Sequence, residues 1–194
     1  MNIVIISGSV RTGRQSHKIA VELQHAFMKS GYLQTEVLDL ADYHLPVLEE
    51  RYNAKVDNQP EGLAEIQQQL DNADAIIFLS PEYHGSYSGA LKNAVDYFWK
   101  EFMRKPIGVV SVSTGKFGGI NASIEMQHLV LSLGGFAMPH KLLIPAVHQA
   151  FNESNELSDV NVVNSIGRFV TEFTWFAEAI VGKKESDKRK TAIA

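Results

Sequence analysis

The chain contains no cysteine among its 194 residues, which excludes disulfides, thiolate metal ligands and a cysteine nucleophile. An excess of basic residues is also missing. Lys and Arg number 18 against 22 Asp and Glu, a formal net charge of −4, so nucleic acid is not an expected partner. Long apolar runs are absent too. The first, Ile3 to Ile6, is far shorter than a secretory hydrophobic segment and lacks a basic start, and no other stretch approaches a membrane span. These absences set the expectation of a cytoplasmic protein without a membrane partner. No internal repeat or interdomain linker is visible. What is present, 45% hydrophobic and 21% charged residues, suits a soluble domain large enough to bury one core.

Apolar, β-branched runs fall at Ile3 to Ile6, Val37 to Leu40, Ala75 to Leu79, Ile107 to Val112 and Leu142 to Ile144. Because they do not alternate strictly, they read as strands buried on both faces, as in a parallel sheet covered by helices. Helical periods lie between them. Ile19, Leu23, Ala26 and Phe27 share one face, as do Leu91, Ala94, Val95, Phe98 and Phe102. Near the end, Val162, Ile166, Phe169, Phe173, Phe176 and Ile180 alternate steps of four and three, forming one apolar stripe. The expected architecture is therefore a three-layer, doubly wound α/β sheet of about five parallel strands. A single domain is expected over 1–182, followed by a charged, frayed tail over 183–194. Tyr43 to Pro60 is too long for a tight connection, and is expected to be either a lid over a site or a mobile connection.

Three loops follow strands and precede helices. The first, Gly8 to Ser16, combines glycines with Ser9, Thr12 and Ser16 and with Arg11 and Arg14. Unpaired backbone N–H groups and the positive end of a helix dipole make such a loop an anion site, to which hydroxyls and a guanidinium add donors. Its serines are also expected to cap the helix. Two cations at a helix start oppose the dipole unless an anion compensates them. The loop departs from the nucleoside-triphosphate pattern, since Arg14-Gln15 stand where Lys and Ser or Thr are needed. It departs from the dinucleotide fingerprint as well, although Asp39 ends the second strand where a ribose-binding acid would sit. Taken alone, Asp39 reads as a strand-terminating polar residue. The second loop, Ser80 to Gly89, offers Tyr83, His84 and Tyr87 with Gly85, a set able to hold a planar ring. Glu82 reads as an orienting or solvated carboxylate. The third, Ser111 to Gly119, again allows close approach. In a doubly wound sheet all three share the carboxyl-end crevice where ligands bind.

Gly-Ser-x-Arg-x-x-x-x-Ser after the first strand, Pro-Glu-Tyr-x-Gly-Ser before Leu91-Lys92-Asn93-Ala94-Val95-Asp96, and Phe117-Gly118-Gly119 after the fourth strand together resemble the NADPH-dependent FMN reductases. That family has a flavodoxin-like fold and includes quinone, azo-dye and chromate reductases. The resemblance spans Asn2 to Ile144. It implies strand order 2-1-3-4-5, FMN as cofactor and NADPH or NADH as co-substrate. Electrons would pass to a small-molecule acceptor such as a quinone, azo compound, free flavin or metal oxyanion. By this resemblance Ser9, Arg11, Ser16 and His17 hold the FMN phosphate. Pro81, Glu82, Tyr83, His84, Gly85 and Ser86 line the isoalloxazine, while Ser113, Gly115 and Gly118 approach its other side. No side chain is assigned as a general acid or base, since the flavin carries the chemistry. The family often has Asn at the positions of His17 and His84, and Pro at that of Ser88. A homodimer or dimer of dimers is implied, with the helix of Lys92 and Asp96 at the interface. A non-enzymatic FMN electron carrier is the second reading, and a scaffolding domain without cofactor the third.

Overall fold

The computed structural model describes residues 1–53, 55 and 59–193. Six parallel strands, β1 (Ile3–Ser7), β2 (Thr35–Asp39), β3 (Ala75–Pro81), β4 (Pro106–Val112), β5 (Phe136–Ala137) and β6 (Leu142–Ile144), alternate with helices. The helices are α1 (Ser16–Lys29), α2 (Leu63–Asn72), α3 (Gly89–Asp96), α4 (Ile120–Ser132) and α5 (Val160–Ile193). The sheet runs β2-β1-β3-β4-β5, with β6 also on β4, the expected flavodoxin-like order. Two short strands share the fifth position. β5 pairs with Pro106 and Ile107, whereas β6 pairs with Val110 to Val112. Only β6 is anticipated by the apolar runs, because a two-residue strand carries no period.

Alternation along the strands divides the core. Ile3 and Ile5 face α1 and α5, joining Ile19, Leu23, Phe27, Phe169 and Phe173. Val4 and Ile6 face α2, α3 and α4, joining Ile66, Leu91, Phe102 and Met126. Gly108 in β4 makes room for α5: a Cβ there would lie 2.9 Å from the Phe173 ring. Phe169 and Phe173 consequently stack against the sheet with centroids 5.8 Å apart. Removing either ring would cost about 3–5 kcal/mol.

One expectation is corrected. The charged end from Lys183 is not frayed over its described part but continues α5 to Ile193. Lys183 with Asp187 and Glu185 with Arg189 are ion pairs one turn apart, the arrangement that supports an exposed helix by about 0.3–0.5 kcal/mol per pair. Part of the segment after β2 is held against α3. Leu48 N donates to Asn93 Oδ1 at 2.9 Å, and Asn93 Nδ2 donates to the Pro46 carbonyl at 2.7 Å. The Tyr97 hydroxyl reaches that carbonyl at 3.0 Å. These bonds tie the segment along α3 and the turn after it. Residues 54 and 56–58 of the expected lid lie outside the described residues.

Candidate active site

β1 and β3 are neighbours although β2 lies between them in sequence, so the loops that leave them meet at the carboxyl-end switch point. The loops touch directly. Ser9 Oγ and Tyr83 Oη share a hydrogen bond at 3.3 Å, and the Ser88 hydroxyl donates to the Gly8 carbonyl. A cavity of about 350 Å³ opens between them, walled on its far side by the turn after β4.

The first loop brings donors to one end of this cavity. α1 begins after Gln15, whose side chain makes no capping bond and instead donates to the Gly13 carbonyl at 3.3 Å. Contrary to expectation, no serine caps α1, and the positive end of its dipole is left open. Ser16 is 3% exposed, and its Oγ has no partner among the described residues. Arg14 donates to the Asp39 carboxylate, while its buried Nε has no partner either. Asp39 therefore is more than a strand end. Its other oxygen accepts from Ala41 N at 3.1 Å, and His17 Nδ1 lies 3.0 Å from the oxygen that Arg14 holds. Buried donors without acceptors are uncommon in native proteins. An anion with several acceptor oxygens, such as the phosphate of FMN, fits both.

The second loop is a tight hairpin turn. Tyr83 N donates to the Ser86 carbonyl at 2.8 Å and Ser86 N returns to the Tyr83 carbonyl at 3.1 Å. The two central residues, His84 and Gly85, have φ of 51° and 81°, as a type I′ turn requires. His84 is exposed at its apex. Asn and His are among the non-glycine residues that enter this region most readily, so His84 fills the position of the family's Asn through its backbone. At the far end of the loop, Ser88 caps α3 by accepting from Leu91 N at 3.1 Å. Its own N–H donates to Ser80 Oγ at 2.8 Å. Glu82 is the orienting carboxylate: its Oε2 accepts from Asn121 N and Ala122 N at 3.0 and 3.1 Å, capping α4. Tyr87 turns from the cavity to pack on the core below α3, and burial, then Asp96 and Glu125, push its phenol pKa up.

The third loop is held by the β4–β6 edge. Ser113 N donates to the Ile144 carbonyl at 3.0 Å, and Val147 N to the Ser113 carbonyl at 3.1 Å. The Ser111 hydroxyl donates to the Gly118 carbonyl at 2.7 Å, and Gly115 N to Ser113 Oγ at 3.1 Å.

Of the residues named from sequence, Ser9, Arg11, Ser16, Pro81, Glu82, Tyr83 and Ser113 line the cavity. His17, His84, Gly85, Ser86, Gly115 and Gly118 are not among its lining residues. Arg14, Thr114 and Val147 join the lining. Arg14 is visible in the sequence as one of two cations at a helix start, but Val147 follows β6 and nothing local marks it.

The model of the NADPH-dependent FMN reductases matches residues 1–149. An NADPH azoreductase of Bacillus sp. (strain OY1-2) is 30% identical over 158 residues, covering 80% of this chain and 83% of that protein. An FMN-dependent NADPH-azoreductase of Staphylococcus aureus is 32% identical over 161 residues, covering 80% and 81%. Among solved structures, FerB, a flavoenzyme NAD(P)H:(acceptor) oxidoreductase of Paracoccus denitrificans, superposes with a TM-score of 0.73. It is 23% identical and covers 92% of this chain and 97% of its own, a likeness of fold. With the family model matched over most of the chain, and with its three loops closing on one anion-ready cavity, the protein belongs to the NADPH-dependent FMN reductase family.

Proposed function

We propose that this NAD(P)H-dependent FMN oxidoreductase delivers electrons to a small conjugated acceptor, an azo compound or quinone, with free flavin and metal oxyanions as further acceptors of the same site. The observation that carries the reading is the cavity joining the unpartnered Ser16 and Arg14 donors to the Pro81–Tyr83 edge. Ser9, Arg11 and Ser16 would hold the FMN phosphate, Pro81, Glu82 and Tyr83 would lie along the ring system, and Ser113 would face it. The amides of His84 and Gly85 donate to no other described residue, which leaves them free to stabilise an electron-rich ring. Val112 and Val147 add apolar wall to the cavity. When bound, FMN supplies the hydride and electron chemistry, so the protein contributes binding and orientation rather than an acid or base. The names of the azoreductase relatives support the azo acceptor.

Anaerobic mixing of the FMN-loaded protein with NADPH or NADH should bleach the flavin band, and an azo dye or quinone should restore it. A loaded protein that neither nicotinamide bleaches would instead be an electron carrier.

The homodimer is part of the same proposal. The resemblance puts the helix of Lys92 and Asp96, α3, at its interface, and Phe117 and Ile124, 67% and 49% exposed, are further apolar side chains of the kind a second subunit covers. Sedimentation equilibrium separates monomer, dimer and dimer of dimers.

A further inference from the structure

We infer that Arg14, tethered by Asp39, is the principal cation recognising the FMN phosphate, and that Arg11 assists from the rim. This rests on the reading of the crevice as an FMN site. The Gly-Ser-x-Arg motif directs attention to Arg11, yet Arg11 is exposed and forms no ion pair among the described residues. An exposed cation is screened and loses side-chain freedom on binding, so its contribution is small.

Arg14 differs in each respect. One end of its guanidinium is held by Asp39, whose side chain is 8% exposed. The carboxylate is itself fixed by Ala41 N, and His17 Nδ1 lies 3.0 Å from it. Its position follows from strand register: Asp39 ends β2 opposite Ser7, the last residue of β1, which brings it beneath the loop carrying Arg14. Held this way, Arg14 keeps its Nε buried and unpartnered, two residues from the equally buried and unpartnered Ser16 Oγ. Both residues line the same cavity. A guanidinium whose charge is permanent and whose orientation is set beforehand binds a phosphate without further ordering. Asp39 is thus a positioning residue acting through Arg14.

The test compares FMN with riboflavin, which lacks the phosphate, by quenching of flavin fluorescence in the apoprotein. The unaltered protein should bind FMN far more tightly than riboflavin. Arg14→Gln should weaken FMN about tenfold to a hundredfold with riboflavin unchanged, and Arg14→Lys, keeping charge without the fork, should fall between. Arg11→Gln should cost only severalfold, with a loss that shrinks as salt is added. In an Asp39→Asn background the Arg14→Gln loss should shrink severalfold. That comparison cancels the direct repulsion between Asp39 and phosphate. An unchanged FMN-to-riboflavin ratio in Arg14→Gln, an equal loss of both flavins in Arg14→Lys, or an Arg11→Gln loss larger than that of Arg14→Gln would overturn the assignment. An Arg14→Gln loss undiminished in the Asp39→Asn background would overturn the positioning role of Asp39. Failure of the unaltered protein to bind either flavin would overturn the reading of the crevice itself.

Discussion

The Ser88 hydroxyl donates to the carbonyl of Gly8, eighty positions earlier in the chain, and the same oxygen accepts from Leu91 N. One buried side chain therefore caps α3 and fastens the first loop to the second. Ser88→Ala removes the cap and strands a buried carbonyl, a loss of roughly 2–4 kcal/mol. Urea denaturation should show this as a lower midpoint with unchanged slope. A variant within about 0.5 kcal/mol of the parent would mean that the bond contributes nothing to the weld.

His84 acts through its backbone at the apex of the type I′ turn. Asn in its place should leave stability within about 0.5 kcal/mol, whereas Val, which resists positive φ, should cost about 1–2 kcal/mol. Thermal midpoints of the two variants give the comparison. Equal destabilisation by both would point to the imidazole instead.

Glu82 lines the cavity but gives its carboxylate to the start of α4. Glu82→Ala should lower stability by about 1–2 kcal/mol, with Glu82→Gln intermediate because it keeps an acceptor without the charge that favours the dipole. Chemical denaturation without flavin isolates this contribution from any effect on binding.

Tyr43 supplies a pH signature. Burial first, then Glu65, push its phenol from 10.0 up to about 12. A raised folded pKa means the unfolded chain loses its proton first. The stabilisation from Tyr43 is complete below about pH 10 and is lost as pH rises through about 12. Stability measured between these limits should fall less steeply in Tyr43→Phe than in the parent. Identical slopes would place the phenol in an ordinary aqueous setting.

The fold is legible in the sequence because β1, β3 and β4 are apolar on both faces and the helix stripes are regular. Phe136–Ala137 leaves no such mark, because a pair of residues has no period and Phe136 is exposed. The tail from Lys183 misleads because charge density alone does not separate a solvated coil from a helix whose charges match one turn apart. In the site, glycine and hydroxyl spacing locates all three loops. The Arg14–Asp39 contact does not show, because it depends on β2 lying beside β1, a tertiary fact with no trace in local spacing. The capping role of Glu82 is hidden for the same reason, since its partners are 39 and 40 residues away.

The reach of α5 has a practical corollary. Lys184 and Lys188 lie beside Met103 and Arg104, at the edge where β4 begins, whereas every loop of the crevice leaves the opposite edge. A tether, affinity tag or electrode linker joined after the last helix would hold the molecule from below and leave its mouth facing the bulk solution.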